Sequence, residues 1–488
     1  MDNKLSINAN VKEIISETLF HETCEIAETD GKILGVTASS TIIGCEALNS
    51  EARVSVRTDF RIVRFDGENY NSDVISVESV KVIPNSGITP TTDVVLFASV
   101  TDCDKISAFK VRATVSLSGW YVQERTLDIL DNNMNGVFCK CETQKIERVI
   151  PLVMQKETLS NTDEARMPIE KILDYSADIC VNNVYLNNGS YRVEGDISIR
   201  VLMVTDNKQF VTQTFNHNYG VDFADENVNN DSVADVVACI KDVKITVTES
   251  DKRIIVSDVT ASFYGIITNT VECNNVLDAY SLTNVITLYK EDKKVNTHFC
   301  LRTVRDKVSS VVKDTGAVEI IGALCPVVSA TNVSNEDGLF VEGVVGVNVL
   351  YLTESHPEVK KVEVPFKVRV STDFICDGII CPFVTVPSTT VRLRGSSDLE
   401  VTVELVVTVR GIKLNIISLG TDLEIGDAKE IDDFAISLYV VKQGETLYDV
   451  AKALNTEEST LTRLNEDISF PLKGGEKVLF YKEEQLEI

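Results

Sequence analysis

Histidine, serine and acidic side chains at short spacings can support catalysis or metal binding. The segment HETCE at 21–25 begins like a zinc-protease helix, which needs two histidines four residues apart, but Glu25 stands at the second position. The segment SVVK at 310–313 has the spacing of a serine nucleophile and a lysine base without the companion motifs. The pair Gly31-Lys32 has no glycine five residues before it, as a phosphate loop would require. We therefore expect no catalytic residues and no enzymatic activity.

The 12 cysteines are scattered along the chain, and only two groups of them lie close in sequence. These are CKC at 139–141 and CDGIIC at 376–381. A zinc site usually needs two close pairs of Cys or His ligands. CDGIIC has neither a second pair nor a neighbouring histidine, so we expect no metal site and no cofactor. Lone thiols in a reducing compartment account for the pattern.

The segment LYVVKQGETLYDVAKALNTEESTLTRLN at 438–465 differs from the β-rich sequence before it. Apolar residues recur there with the spacing of one helical face, at Leu447, Val450, Ala451 and Leu454. Thr446 can cap the start of this helix. A second helix follows Thr456 and ends at Asn465, which tolerates a left-handed conformation. A strand precedes the helices, and GGEKVLFY at 474–481 supplies a returning strand.

This βααβ order over 438–482 resembles a LysM domain, through YVVKQGETLYDVAKALN, LTRLN and LKGGEKVLFY. The resemblance implies binding of N-acetylglucosamine polymers, such as peptidoglycan or chitin, at the turn before the first helix and the loop after the second. The corresponding positions are Gly444, Glu445, Thr446, Leu447, Ile468, Ser469, Phe470 and Pro471, and Tyr448 adds an aromatic ring. The alternative is that Thr446 and Leu447 serve only as helix cap and core residue.

Most of the chain consists of a repeated β-rich unit. The segment at 193–223, beginning VEGDISIRVLMV, aligns with 341–374, beginning VEGVVGVNVLYL, and 52–82 is a weaker third copy. Alternation places one set of side chains on a single strand face: Val193, Ile197, Ile199 and Val201. Hairpin turns are predicted at Asn188-Gly189 and at 250–252, and MPIEKILDY at 167–175 predicts a short helix. These patterns indicate antiparallel sheets, open or sandwiched.

The sequence IEKILDYSADICVNNVYLNNGSYRVEGDISIRVLMV, with LDAYS at 277–281, resembles the SPOCS (DUF3794) repeat of clostridial sporulation proteins. We place a divergent copy at 1–150, a clear copy at 151–300 and a third at 301–423. An acidic linker at 424–437 then leads to the LysM-like domain. The expected fold is mainly β, with three tandem antiparallel β-rich repeats followed by a small α+β domain.

The chain is acidic, with 47 basic and 74 acidic residues and a net charge of −27. This balance argues against nucleic acid, because phosphate contacts need clustered Lys and Arg. Solubility explains the charge, and a basic protein partner is the alternative. The N-terminal segment lacks the pattern of a signal peptide, and no apolar run reaches the ~20 residues of a membrane span. We expect a cytoplasmic protein without a transmembrane segment.

SPOCS-like repeats with a terminal LysM-like domain resemble the SipL type of clostridial spore coat morphogenetic protein. The resemblance implies a non-enzymatic adaptor in the mother-cell cytoplasm, at the forespore surface. Its LysM module would bind a basement-layer protein of the spore coat, a SpoIVA-like ATPase, with Tyr448 and Phe470 as exposed anchors. The alternative is a protein that binds peptidoglycan or another N-acetylglucosamine polymer and anchors to cell wall or spore cortex.

Overall fold

Strands form most of the chain, and two short helices lie near its C-terminus. The structure is a computed structural model. It describes residues 4–26, 31–335, 337–371, 379–395, 397–430, 436–466 and 471–481. The mainly β fold predicted from the sequence is confirmed, as is the small α+β region at the C-terminal end.

Three units of the same construction follow one another along the chain. The first contains β1 (Lys4–Asn8), β2 (Val11–Glu25), β3 (Lys32–Leu48), β4 (Glu51–Phe65), β5 (Tyr70–Pro84), β6 (Asp93–Ser107), β7 (Lys110–Gln123) and β8 (Thr126–Leu130). The second contains β9 (Phe138–Glu164), β10 (Ile169–Asn187), β11 (Ser190–Thr205), β12 (Phe210–Ala224), β13 (Val233–Val247) and β14 (Ile254–Tyr280). The third contains β15 (Asn284–Val312), β16 (Glu319–Ala323), β17 (Val327–Asn335), β18 (Leu339–Leu352), β19 (Pro357–Ser371), β20 (Ile379–Arg394) and β21 (Asp398–Ala428).

Each unit is a pair of antiparallel sheets. One sheet is a meander, in the order β3-β4-β5, β10-β11-β12, or β16 and β17 with β18 and β19. In the other sheet a strand near the start of the unit pairs with one near its end, in the orders β2-β7-β6, β9-β14-β13 and β15-β21-β20. A short β9–β15 pairing joins the last two of these into one six-stranded sheet. Apolar side chains fill the space between the two sheets. This arrangement is a β-sandwich.

The alternation predicted for β11 is confirmed. Val193, Ile197, Ile199 and Val201 are at most 1% exposed and belong to the core of the second unit. The predicted hairpin is also present, because Asn187 pairs with Ser190 and Gly189 adopts a φ of +79°. A second hairpin joins β13 to β14 around residues 250–252, as predicted.

The helix predicted at 167–175 is wrong, because residues 169–187 form β10. Its register with β11 shifts between Ile169 and Lys171 and again between Ile172 and Asp174. Each bulge places two residues of one strand against one of its partner and breaks the two-residue alternation. The apolar residues of a doubly bulged strand therefore take a spacing close to that of a helix.

The predicted unit limits at 150 and 300 need correction, because both positions lie inside strands, β9 and β15. Each of these strands pairs with the last strand of its own unit, β9 with β14 and β15 with β21. The predicted linker at 424–437 also needs correction at its start, because β21 continues to Ala428 and pairs with β15. At its end, Ile436 and Ser437 belong to a further strand. Residues 431–435 lie outside the described residues.

The three units meet in a shared apolar cluster. It contains Leu34 and Val63 from the first unit, Leu173 and Leu202 from the second, and Leu324 and Leu350 from the third. The same irregularity lies beside it in every unit, because the strand register shifts at 33–35, 172–174 and 320–322. Each unit therefore has the same local distortion of its meander sheet, and in each unit this distortion lies beside the shared apolar cluster.

Three two-stranded ribbons leave the units and pack together. They are β1 with β8, the first half of β9 with the end of β14, and the first half of β15 with the end of β21. Their shared core contains Ala9, Leu127, Ile129, Ile146, Cys273, Val295 and Leu419. We call these ribbons the stem. The stem leads from the three sandwiches to the C-terminal domain.

Candidate functional site

The C-terminal domain pairs two strands and packs two helices against them. Strands β22 (Ile436–Val440) and β23 (Lys477–Tyr481) are antiparallel, and the helices are α1 (Leu447–Ala453) and α2 (Glu458–Leu464). Its core consists of Val441, Tyr448, Val450, Ala451, Leu454, Leu461, Val478 and Phe480. The βααβ order and the apolar helix face predicted from the sequence are confirmed.

The turn between β22 and α1 is held by one carboxylate. Glu445 accepts a hydrogen bond from the backbone N–H of Lys442 at 2.8 Å and another from the Tyr439 hydroxyl at 2.9 Å. The first of these lowers the pKa of Glu445 below its usual value. Gly444 adopts a φ of +88°, which glycine accepts without strain. Glu445 thus shapes the turn from within.

A capping box starts α1. The backbone N–H of Asp449 donates to the Thr446 hydroxyl at 3.4 Å, and the N–H of Thr446 donates to Asp449 at 2.8 Å. Partial burial raises the pKa of Asp449, but hydrogen bonds from Thr446 and Lys140 outweigh this effect and hold the pKa below its ordinary value. The predicted capping role of Thr446 is confirmed.

The end of α2 differs from the prediction at one point. Asn465 is the C-terminal cap, as expected, but its φ is −130° and not left-handed. Its side-chain amide donates to the carbonyls of Leu461 and Leu479, and its oxygen accepts from the N–H of Leu479, all within 2.7–2.8 Å. Asn465 therefore ties α2 to β23. The left-handed asparagine is Asn455, with a φ of +50°, directly after α1.

The predicted site residues fall into four groups. Gly444, Thr446 and Pro471 are exposed, and Glu445 and Leu447 are half-buried. Ile468, Ser469 and Phe470 lie outside the described residues. Tyr448 is 5% exposed, so the prediction of an exposed aromatic anchor is wrong at this position. The described part of the predicted surface is therefore the turn 444–447 with Pro471.

Tyr448 is buried because the stem covers it. Its ring lies 5.2 Å from that of Tyr280, and Tyr280 in turn stacks on Phe138 at 5.1 Å. The Tyr448 hydroxyl donates to the carbonyl of Phe138 at 3.4 Å, and the Tyr280 hydroxyl donates to that of Thr456 at 2.8 Å. Burial raises the pKa of Tyr448 above its ordinary value. These rings form the contact between stem and domain.

Two ion pairs flank the aromatic contact. Lys140 lies 3.0 Å from Asp449, and Lys452 lies 2.6 Å from Asp278. Sequence reasoning missed these stem residues as partners of the domain. Both Asp278 and Tyr280 belong to the motif LDAYS at 277–281, which the sequence links only to the SPOCS-like repeat. Nothing in the sequence places this motif beside α1, because about 170 residues separate them.

The outer face of the β22–β23 pair is apolar and open. Five side chains on it are 38–70% exposed: Ile436, Leu438, Val440, Leu479 and Tyr481. The strand register sets Ile436 opposite Tyr481 and Leu438 opposite Leu479, so these side chains are neighbours on one face. We call this surface the outer sheet face. Apolar clusters of this kind commonly mark binding surfaces.

No cluster of three or more potential metal ligands occurs in the described part of the chain. The ten cysteines whose side chains the structure describes are all free thiols. Neither α1 nor α2 is long and apolar enough to cross a membrane, which holds for the described residues.

Residues 439–472 match the family profile of the LysM domain. These residues form a LysM domain. The match begins inside β22, covers both helices and includes every predicted site residue. No curated protein matches the chain, and no solved structure does so.

Proposed function

We propose that this protein binds an N-acetylglucosamine polymer, such as peptidoglycan, through its LysM domain and performs no catalysis. The observation that carries the proposal is the match of residues 439–472 to the LysM domain. Resemblance to this family implies binding of such polymers. The turn at 444–447 supports it, because Gly444 and Thr446 are exposed there and polar groups at such a surface can hydrogen-bond to sugar hydroxyl and acetamide groups. The three sandwiches and the stem then act as a scaffold that carries this surface.

The test is retention of the full-length protein on purified peptidoglycan sacculi, with calorimetry against soluble N-acetylglucosamine oligomers. Gly444→Asn places a side chain on the turn, and asparagine tolerates the positive φ of 88° found there. Gly189→Asn is the matched control, because Gly189 has a φ of +79°, equally open surroundings and a position in the second sandwich.

We expect Gly444→Asn to weaken retention on sacculi at least ~10-fold, which corresponds to about 1.4 kcal/mol, and Gly189→Asn to leave it unchanged. Thermal melting of both variants establishes that they are folded. If the unsubstituted protein is not retained on sacculi and does not bind the oligomers, the proposal is refuted.

A second candidate is an adaptor of the spore coat that works in the mother-cell cytoplasm at the forespore surface. It would bind a basement-layer coat protein, the SpoIVA-like ATPase implied by the resemblance of the repeats to SPOCS domains. The observation that favours a protein partner is the outer sheet face, since exposed apolar clusters suit protein contacts better than sugar hydroxyls. Its anchors would be Leu438 and Tyr481 in place of the buried Tyr448.

The two candidates predict different effects of one substitution. Leu438→Ser changes the outer sheet face, at a side chain that is 57% exposed, and leaves the turn at 444–447 intact. If the adaptor candidate holds, this variant loses capture of the purified basement-layer ATPase while retention on sacculi is unchanged. Equal capture of the ATPase by both proteins would contradict a contact through this face.

A further inference from the structure

A cavity of about 440 Å³ lies where the three units meet, far from the LysM domain. Its walls come from β3 to β6 of the first unit, from β10 and β13 of the second, and from β20 and the segment before β17 of the third. One side is apolar, formed by Leu96, Phe97, Ile179 and Phe383. Other lining residues are charged, among them Arg57, Asp59 and Lys241. The space would accommodate a small organic molecule.

Three cations line this cavity, and two of them already have partners. Arg57 lies 3.3 Å from Asp59 and 3.4 Å from Asp242. Lys241 donates to the carbonyl of Ile42 at 3.0 Å. Both cations therefore already bind groups that line the cavity.

The third cation, Arg61, is different. It is 8% exposed, and its guanidinium lies 4.3 Å from the ring of Tyr175. Its buried Nε has no hydrogen-bond partner. Burial lowers the pKa of Arg61, but Asp174 and Tyr175 outweigh this effect and raise the pKa, so they balance part of its charge. A buried guanidinium donor without an acceptor is costly, by about 1–3 kcal/mol in typical cases. Arg61 thus offers one unpartnered Nε–H donor beside apolar lining residues.

We propose that this cavity binds a small organic carboxylate. The carboxylate group pairs with the guanidinium of Arg61, and the apolar body of the ligand packs against Phe97 and Phe383. The unpartnered Nε–H of Arg61 can donate to one carboxylate oxygen, and the planar fork of arginine suits a second bond to the other oxygen. A dianion such as phosphate fits less well, since Asp59 and Asp242 also line the cavity.

Asp178 is a further acidic group that faces the cavity. Burial raises its pKa to about 7, against the opposing effect of Arg200. Near neutral pH a large share of this carboxyl is protonated, so it can donate a hydrogen bond to a bound carboxylate. The acidic lining is therefore compatible with a monoanionic ligand.

The experiment titrates the full-length protein with benzoate and hexanoate, and with benzyl alcohol and hexanol as uncharged analogues, by calorimetry. Trp120 reports the location of binding, because it is the chain's single tryptophan and its ring lies 5.1 Å from that of Phe97. We expect saturable binding of at least one carboxylate near one molecule per chain, with a change in Trp120 fluorescence. The uncharged analogues should bind at least ~10-fold more weakly.

Two variants assign the binding to Arg61. Arg61→Gln should weaken carboxylate binding at least ~10-fold, and Arg53→Gln, on the same strand but 55% exposed at its side chain, should not. If Arg61→Gln fails to fold, Arg61→Lys keeps the charge, loses the fork, and should bind several-fold more weakly. No saturable binding of either carboxylate, equal binding of the alcohols, or unchanged binding by the folded Arg61 variant would overturn the proposal.

Discussion

At the scale of single residues, two buried aspartates of the second unit hold the three units together. Asp235 lies 3.3 Å from Lys12 of the first unit and 2.9 Å from Arg410 of the third. Asp174 accepts hydrogen bonds from the Thr37 hydroxyl and from the backbone N–H of Cys325, both at 3.2 Å. Both aspartates are 1% exposed. Each therefore makes contacts that only the assembled units provide.

Asp235→Asn should lower the free energy of unfolding by about 3–5 kcal/mol, because it removes the buried negative charge that Lys12 and Arg410 share. Urea unfolding of the full-length protein measures the loss. Asp222→Asn is the control, since Asp222 belongs to an ion pair with Arg192 at 2.6 Å whose side chains are 41–70% exposed. That variant should lose less than ~1 kcal/mol. Equal losses in the two variants would contradict a special role of Asp235.

Asp178 should make the protein less stable as the pH rises. Its folded-state pKa of about 7 lies above the ~3.9 of an unfolded aspartate. A raised pKa stabilises the folded state fully below ~3.9, and this contribution is lost as the pH rises from there through about 7. The Asp178→Asn variant has no titrating group at this position. Between pH 4 and pH 8, its free energy of unfolding should therefore rise by about 2–4 kcal/mol relative to that of the unsubstituted protein. Urea unfolding measures the difference in free energy of unfolding between the two proteins at each pH. An equal difference at pH 4 and pH 8 would contradict the raised pKa of Asp178.

At the scale of elements, the stem positions the LysM domain. The ends of β9 and β14 supply Phe138 and Tyr280, which cover the Tyr448 ring of α1. The ion pairs of Lys140 and Lys452 with the carboxylates across the contact fix its orientation. The turn at 444–447 lies at the start of α1 and stays exposed. The stem therefore presents the candidate binding surface in one direction.

Tyr280→Ala should loosen this contact, because Tyr280 is 2% exposed and its hydroxyl bonds to Thr456. Removing a buried aromatic ring typically costs about 3–5 kcal/mol. Hydrogen exchange should therefore become faster at the backbone amides of α1 and α2. Tyr289→Ala provides the comparison, since Tyr289 lies on the stem strand β15 and is 48% exposed. If exchange in the LysM domain is the same in all three proteins, the contact does not stabilise the domain.

Local patterns were sufficient to predict some elements, and distant contacts decided the rest. The helix α1 follows from its apolar spacing and from Thr446, and the strand β11 follows from its alternation. The bulges of β10 give its apolar residues a helix-like spacing, so this strand was predicted as a helix. The burial of Tyr448 could not be predicted, because it depends on Tyr280 and Phe138 of the stem. Arg61 shows the same limit, since only the packing of three units encloses it.

At the scale of the whole molecule, the three units form one body. The apolar cluster around Leu173 and Leu350 and the ion pairs of Asp235 cross every boundary between units. A unit separated from the others would expose these groups to water. The units are therefore repeated in construction and mutually dependent in stability.

We expect the three units to unfold in one cooperative transition. Trp120 fluorescence reports on the surroundings of one side chain of the first unit, whereas far-ultraviolet circular dichroism reports on all strands. Coincident urea transitions from the two probes are the expected result. Hydrogen exchange of β18 and β21 extends the comparison to the third unit. A transition of Trp120 at a clearly lower urea concentration would show that the first unit unfolds independently.

The continuous strands of the stem also have a mechanical consequence. Strand β21 runs for 31 residues from the third sandwich to the neighbourhood of the LysM domain, a length of about 100 Å at ~3.3 Å per residue. It is paired with β15 along this length. A force that pulls the LysM domain away from the sandwiches acts along these strands, so many ladder hydrogen bonds resist shear together. A protein held at one end by a solid polymer would transmit tension through such a stem without lengthening.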